Sequence, residues 1–248
     1  MMETVFHSER SFFLTLTYDN EHIPIKGTSE PVESLDRMAF RAWIKDSKRA
    51  VGSYRYYAVG EYGDLSGRPH YHMAIFPQTD AQVAALRYRW KAGFTQAGEM
   101  CDERARYLAN YTAKKLTNGH DERLRPGQEP EFRLSSRKPP LGAKFADELA
   151  KHYSQPKARK IIETRGDIER TWRVGGRIYP IGQWPLNQVR KKLGIPLLHR
   201  ERAVANPNYL DHHEIEDTPW EPEQAKAIKV RLDGKKTQKL HRSTSVKL

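Results

Sequence analysis

Two histidines one residue apart, His70 and His72, are the first side chains in the sequence whose spacing suggests chemistry. If their segment is a β-strand, residues two apart point to the same face, so the two imidazoles project together and can bind one divalent cation. Tyr71, Met73 and Ile75 then point the other way, into a core. A His-x-His pair also occurs by chance, and alone it does not establish a metal site.

Two tyrosines, Tyr107 and Tyr111, form the second pattern. They lie four residues apart in Glu103–Leu116, whose apolar periodicity predicts a helix, so they share one helix face. Lys114 and Lys115 follow on or beside that face. A phenol is a poor nucleophile unless cations stabilise its phenolate. Taken alone, the same pattern also fits an amphipathic helix with packed tyrosines and solvated lysines.

The two patterns together supply the parts of a site that cuts and rejoins a phosphodiester bond. A metal on the histidines would polarise the scissile phosphate, and a lysine would add positive charge. The tyrosine would form a phosphotyrosine, which keeps the energy of the bond for rejoining. The formal net charge of +12 over 248 residues fits a polyanionic partner.

Composition narrows the class of partner. Anionic membranes would also fit the charge, but no apolar run approaches the roughly 18 residues that span a bilayer, and Met1–Arg10 lacks the apolar stretch of a signal peptide. The basic charge alone would suffice for a DNA-binding module without catalysis. The single cysteine, Cys101, excludes an internal disulfide and suits a reducing cytoplasm. We expect it to be a partly buried residue, because nothing near it would activate the thiol.

The elements that must position these residues are predicted from periodicity and from turn residues. They are a strand at Phe12–Tyr18, a helix at Leu35–Ala50, strands at Tyr54–Val59 and His70–Phe76 joined by GEYGDLSGRP, helices at Asp80–Tyr88, Asp102–Leu116 and Ala143–Tyr153, and a strand-like stretch at Glu169–Tyr179 that Gly175–Gly176 interrupts. The chain is expected to be rich in loops after Asn118–Gly119.

Three segments, FLTLTY, GEYGDLSGRPHYH and YLANYTAKK, resemble in their order the three motifs of the HUH endonucleases. The resemblance is nearest to the replication initiators of microviruses, in particular the gokushovirus-like branch. It covers Ser11–Leu116, with a looser echo at Glu131-Phe132 and Ser136–Phe145. It implies an α+β fold with a central antiparallel sheet of about five strands and packed helices. We expect residues 1–120 to form the nuclease core, 121–198 to elaborate it, and 199–248 to form a flexible charged tail.

The resemblance also implies roles for individual residues. His70 and His72 become metal ligands, with Glu61 as the third ligand from the end of the preceding strand. Two imidazoles and one carboxylate suit Mg²⁺ or Mn²⁺ in a nuclease, although zinc binds such ligands too. No small-molecule cofactor is expected. Tyr111 with Lys114 matches the family's Tyr-x-x-Lys pattern, and Tyr107 matches the extra tyrosine of the two-tyrosine members.

One departure concerns Tyr107, because Asn110 stands where the pattern would place its lysine. Lys115 is the remaining candidate cation of the helix. For DNA contacts we single out Thr15 and Thr17 on the polar face of the first strand, and Arg68 just before the histidines. Threonines at a sheet surface and a solvated arginine are the alternatives.

In the family's mechanism, one tyrosine nicks an origin in single-stranded DNA, becomes joined to the 5′ phosphate and frees a 3′ hydroxyl. A second tyrosine later closes the circle. The expected partners are therefore an origin in single-stranded DNA and the host helicase and DNA polymerase, in the host cytoplasm. A transposase or a plasmid replication protein of the same superfamily, and a non-catalytic single-stranded DNA-binding protein, remain the alternatives. Relaxases usually place the tyrosine before the histidines, which is the reverse of the order here.

Overall fold

The computed structural model describes residues 3–4, 10–27, 30–64, 66–114, 117–174 and 176–196, with only the backbone for 111–114. The predicted tail, 199–248, lies outside the described residues. The strands are β1 (Phe12–Tyr18), β2 (Ile25–Lys26), β3 (Val32–Glu33), β4 (Arg55–Tyr62), β5 (Pro69–Phe76), β6 (Gly93–Glu99), β7 (Phe132–Ser135), β8 (Thr171–Val174) and β9 (Arg177–Pro180). The helices are α1 (Arg37–Val51), α2 (Ala81–Arg89), α3 (Asp102–Lys114), α4 (Ala143–Tyr153), α5 (Pro156–Arg165) and α6 (Gln183–Leu193).

A five-stranded antiparallel sheet in the order β6-β1-β5-β4-β7 confirms the predicted fold class. Strand β5 lies at its centre and pairs with both β1 and β4. The alternation of β5 is as predicted, because Tyr71, Met73 and Ile75 are fully buried on one face while His70 and His72 lie on the other. The predicted metal histidines therefore stand on the central strand.

Helices α1 and α2 cover the apolar face of the sheet. Helix α1 begins at Asp36, whose carboxylate accepts a hydrogen bond from the Ala39 amide at 2.7 Å, and its side chains Phe40 and Ile44 join the core. The Phe40 ring stacks on Tyr71 with centroids 3.8 Å apart. None of the helices that the structure describes combines the length and apolarity needed to cross a membrane.

Helix α3 belongs to a smaller apolar cluster on the opposite face. Its residue Leu108 is buried in one cluster with Val59, Ala74 and Phe76 of the sheet. This cluster includes β4 and β5, the two strands that bear the predicted metal ligands. The packing of Leu108 therefore brings the tyrosine helix to the face that carries His70 and His72.

The structure differs from the predicted elements mainly at the edges of the sheet. Strand β4 continues to Tyr62 because Glu61 pairs with His70, so Glu61 lies within the sheet and not in the connection after it. Strands β6 and β7 were not predicted. The sequence of β6, GFTQAGE, has neither apolar alternation nor enrichment in β-branched residues, and its strand conformation depends on pairing with β1.

The chain forms two compact units, with the boundary between Leu141 and Gly142. The first unit takes the edge strand β7 from beyond residue 120, and the predicted division at that residue stays a prediction. The second unit contains α4 to α6 and the β8–β9 hairpin, around a buried Trp172 that meets the Phe145 ring edge-on with centroids 4.7 Å apart. Helix α4 has the predicted bounds, whereas α5 and α6 were not predicted.

A buried ion pair stabilises the second unit. Arg190 donates to both carboxylate oxygens of Asp167, at 2.8 Å and 2.5 Å, and both side chains are almost fully buried. We expect Asp167→Ala to lower the free energy of unfolding by about 3–5 kcal/mol, because it leaves a buried charge without its counter-charge.

Urea denaturation would measure this loss, with Asp147→Ala as the matched control. Asp147 pairs with Lys192 at 2.8 Å, but both side chains are about half exposed, so its loss should cost less than about 1 kcal/mol. Equal costs for the two variants would contradict the assignment of the buried pair as a major contribution to stability.

Candidate functional site

The register of the sheet places the three predicted metal ligands side by side. Glu61 of β4 pairs directly with His70 of β5, and His72 follows two residues later on the same face. The ligand atoms of the three residues all lie within 4.8 Å of one another. The sequence interpretation of Glu61 as the third member of this cluster agrees with that grouping.

Glu61 Oε1 is the point on which the cluster converges. It lies 2.8 Å from His70 Nε2 and 3.0 Å from His72 Nε2. The other carboxylate oxygen, Oε2, is buried without a hydrogen-bond partner among the described residues. Ligand atoms bound to one cation at about 2.1 Å stand about 3 Å from their neighbours, which is the spacing found here.

The hydrogen bonds behind the imidazoles also fit a cation. His70 Nδ1 lies 3.0 Å from the Arg68 carbonyl oxygen, which can only accept, so Nδ1 carries a proton. In the neutral ring, Nε2 then presents a lone pair toward Glu61 Oε1. A positive charge must offset that repulsion, either as a second proton on His70 or as a cation between the two atoms. Glu61, His70 and His72 therefore fit a divalent metal.

The pKa values report the same competition. Burial alone would raise the pKa of Glu61, but hydrogen bonds from His70, His72 and Tyr107 outweigh it and lower the pKa to about 2. Burial lowers the pKa of His70, yet its bonds to Glu61 and to the Arg68 carbonyl raise it above the ordinary value. Without a metal, the site therefore holds an ionised carboxylate beside a histidine that protonates readily.

Metal affinity should consequently depend on pH. We expect Mn²⁺ affinity to fall about ten-fold per pH unit below the raised pKa of His70, because a proton and the metal compete for Nε2. Isothermal titration calorimetry with Mn²⁺ between about pH 6 and 8 would measure this dependence. In Glu61→Gln the decline should begin at lower pH, on top of weaker binding, because the carboxylate no longer raises the pKa of His70. A pH-independent affinity would contradict this account.

Tyr107 is the tyrosine that the described side chains place at the cluster. Its hydroxyl donates to Glu61 Oε1 at 2.6 Å, and its ring meets the His72 ring edge-on with centroids 5.4 Å apart. Burial raises its pKa, and the hydrogen bond to Glu61 and the negative charge of that residue raise it further. The phenol is held protonated in this state, although 42% of the side chain is exposed.

The other predicted residues of the helix are only partly described. Tyr111 lies within α3, one turn after Tyr107, and Lys114 is the last residue of the helix. Their side chains, and Lys115 as a whole, lie outside the described part of the chain. Their catalytic roles stay predictions.

The residues predicted to contact DNA have protein partners in the structure. Thr15 Oγ1 lies 2.9 Å from His72 Nδ1, so this hydroxyl orients a metal-ligand ring. Arg68 donates twice to the Tyr18 carbonyl, at 3.2 Å and 3.0 Å. Thr17 pairs with His70 on the same face. Their roles in DNA binding stay predictions.

Glu131 is a residue near the site that the sequence analysis did not select. It is buried, and its Oε1 accepts a hydrogen bond from the Tyr62 amide at 3.2 Å, next to Glu61. After burial and Glu61, its charge adds to the raised pKa of both His70 and Tyr107. Only the loose resemblance at Glu131-Phe132 pointed to it, because a carboxylate after a long loop has no informative spacing. Cys101 is half-buried, as predicted.

Comparison with known proteins agrees with the fold and the cluster. Residues 11–116 match the model of a family described as replication-associated protein ORF2. The chain is 33% identical over 144 residues to replication-associated protein ORF4 of Chlamydia phage 1, covering 48% of this chain and 34% of that protein. It is 32% identical over 136 residues to replication-associated protein VP4 of Bdellovibrio phage phiMH2K, covering 45% and 41%.

A third relative is replication-associated protein ORF2 of Spiroplasma virus 4, 28% identical over 133 residues, covering 46% of this chain and 42% of that protein. The chain thus spans about a third to two-fifths of the length of these relatives. No solved structure matches. The fold, the cluster and the matched region are those of a phage replication-associated protein. More particularly, these matches support a microvirus-like rolling-circle replication initiator, and the resemblance seen in the three motifs is confirmed.

Proposed function

We propose that this protein nicks and rejoins single-stranded DNA at an origin through a covalent 5′-phosphotyrosine intermediate. In doing so it drives rolling-circle replication of a small single-stranded DNA phage genome. The observation that carries the proposal is the contact of the Tyr107 hydroxyl with Glu61, at the oxygen on which His70 and His72 also converge. This arrangement joins the side chain of a nucleophile to a set of metal ligands.

Glu61, His70 and His72 would hold the metal, for which we propose Mg²⁺ or Mn²⁺. A bound divalent cation supplies positive charge that neutralises Glu61 and polarises a phosphate oxygen. Thr15 keeps the His72 ring in place through Nδ1, and the Arg68 carbonyl does the same for His70. These bonds leave both Nε2 atoms directed at the site.

The transfer step begins at the Tyr107 hydroxyl. The phenol loses its proton, its oxygen forms a bond to the phosphorus, and the bond from phosphorus to the 3′ oxygen breaks. The 3′ oxygen takes up a proton and leaves as a free hydroxyl, while the 5′ phosphate stays on the tyrosine. Glu61 holds the phenol proton in the resting site, so its charge must be offset before Tyr107 can attack.

The second transfer is assigned to Tyr111, one helical turn further along α3. We propose that Lys114 and Lys115 offset the negative charge that develops there on the phosphate or the phenolate. The reverse of the first step, with the new 3′ hydroxyl attacking the phosphotyrosine, then closes a circle. Two tyrosines on one helix allow one to hold the DNA while the other cuts.

The partners follow from this reaction. The substrate is an origin in single-stranded DNA, and the freed 3′ hydroxyl is the kind of end that a host DNA polymerase extends after a helicase opens the duplex. We place the reaction in the cytoplasm of the host. The formal charge of +12 supports a nucleic acid substrate, and the single cysteine is consistent with a reducing compartment.

Denaturing gel electrophoresis tests the proposal. The protein is incubated with Mn²⁺ and single-stranded oligonucleotides that tile the phage genome, and a covalent protein–DNA adduct is expected with one of them. The adduct should be lost when a chelator is present. Tight binding of oligonucleotides with no adduct from any of them would instead indicate a non-catalytic DNA-binding protein.

A further inference from the structure

Phe94 is a large apolar side chain exposed on the same face of the sheet as the metal-ligand residues. It is the second residue of β6, and 71% of its surface is exposed. The register pairs Phe94 with Thr17, Thr17 with His70, and His70 with Glu61, so the four residues form one row across four strands. A single exposed apolar residue needs no explanation, but this row extends the site.

A second row runs beside the first. Gln96 of β6 pairs with Thr15, and Thr15 pairs with His72. Gln96 is exposed like Phe94, whereas Thr95 between them points to the other face and accepts a hydrogen bond from Arg87. We call Phe94 and Gln96 the β6 strip. It places an aromatic ring and an amide next to the candidate site.

The backbone before Phe94 is held firmly against the end of β1. The Trp90 indole donates to the Thr17 carbonyl at 3.1 Å, and the Asp19 amide donates to the Ala92 carbonyl at 2.9 Å. Gly93 has a φ of +146°, and a Cβ there would collide with the backbone of Thr17 and Asp19. Phe94 is therefore presented in a preformed position, which lowers the entropic cost of binding a ligand.

A positive charge lies on the same face toward the other end of β6. Arg104 of α3 donates to the Glu99 carbonyl and lies over the Phe13 ring, 5.7 Å from its centroid. A Cβ on Gly98, which pairs with Phe13, would approach the Arg104 guanidinium at 2.5 Å. The guanidinium therefore covers this end of the face, where it can meet a phosphate.

We propose that the β6 strip is a subsite for single-stranded DNA, in which the Phe94 ring stacks on a base close to the scissile phosphate. Gln96 offers its amide to a base edge, and Arg104 contacts a backbone phosphate. Phe94 lies two strands from His70, which is about 10 Å at the usual strand spacing. Stacked nucleotides advance about 3.4 Å each, so the base lies within about three nucleotides of the cut. This inference rests on the proposed function.

Binding measurements on Phe94→Ala test the subsite. The probe is a fluorescein-labelled oligothymidine of about 20 nucleotides, longer than the roughly 4–16 nucleotides that single-stranded DNA-binding domains cover, with chelator present so that no cleavage occurs. We expect the dissociation constant to rise on the order of ten-fold, since one base stack is lost. Phe94→Trp should retain the wild-type affinity, because it preserves an aromatic face.

Tyr88→Ala is the matched control. Tyr88 is 75% exposed and lies on α2, which packs on the opposite face of the sheet. Its loss removes a similar exposed aromatic area and should leave the dissociation constant unchanged. A 2-aminopurine within the oligothymidine gives a second readout, because stacking on Phe94 should quench its fluorescence in the wild type and not in Phe94→Ala.

Three results would overturn the inference: equal affinities of wild type and Phe94→Ala, equal loss in the Tyr88→Ala control, or sedimentation showing that Phe94 joins two copies of the chain while DNA affinity is unchanged. The failure of the proposed function looks different. Wild-type protein would then form no covalent adduct, whatever the effect of Phe94→Ala on binding.

Discussion

The double variant Tyr107→Phe/Tyr111→Phe is expected to form no covalent adduct with origin DNA. Its rate of nicking should fall by at least about three orders of magnitude, the scale on which loss of a catalytic nucleophile acts. Phenylalanine keeps the ring contact with His72 but has no hydroxyl to attack phosphorus. Adduct formation and nicking of a labelled oligonucleotide, measured in single turnover with Mn²⁺, would give both values.

The single variants should then separate the roles of the two tyrosines. We expect Tyr107→Phe to reduce the first nick more than Tyr111→Phe does, because the hydroxyl of Tyr107 lies against Glu61 among the metal ligands. Tyr88→Phe is the control, since this exposed tyrosine lies on α2. An adduct that survives the double substitution would refute the tyrosine mechanism.

Loss of one metal ligand should have the second-largest effect. We expect His72→Ala to reduce the rate of nicking by more than about 100-fold at low Mn²⁺, with partial recovery as Mn²⁺ is raised. Thr15→Val has nearly the same shape and removes only the hydroxyl that faces His72 Nδ1. Loss of such an outer partner costs about 10–100-fold in metal affinity or activity, so Thr15→Val should fall between His72→Ala and wild type.

The measurement is the rate of nicking as a function of Mn²⁺ concentration, together with DNA affinity in chelator. His22→Ala is the control, because this half-exposed histidine is bonded to Asp19 and is not one of the clustered ligands. If Thr15→Val weakened DNA binding and left the Mn²⁺ dependence unchanged, Thr15 would be a DNA contact and not a support for His72. Wild-type nicking by His72→Ala would exclude His72 as a ligand.

Local periodicity was enough to predict the central elements. The alternation in β5 separates Tyr71, Met73 and Ile75 from His70 and His72, and the structure buries the first three completely. The helical spacing before Val51 and along α3 predicted α1 and α3 within a few residues of their bounds. These features depend on side-chain direction within one element, which neighbouring residues determine.

The edges of the sheet depended on contacts distant in sequence. Strand β6 pairs with β1 about eighty residues earlier, and β7 pairs with β4 across the loop-rich region. Neither strand has a strong pattern of its own, because edge strands are partly exposed and carry polar and small residues. The β6 strip was accordingly invisible in the sequence, although it lies in line with the histidines.

The sequence by itself determined which residue types were available to the site: two imidazoles on one strand face, a carboxylate ahead of them, and two tyrosines on one helix face. Only the tertiary structure decided which of them meet. The lysine spacing favoured Tyr111, yet the described side chains place Tyr107 on Glu61, and the local sequence suggested a phosphate contact for Arg68, which binds the Tyr18 carbonyl. The reason is that side-chain direction follows from local geometry, whereas the partner across a gap follows from how buried residues such as Leu108 seat a helix on the sheet.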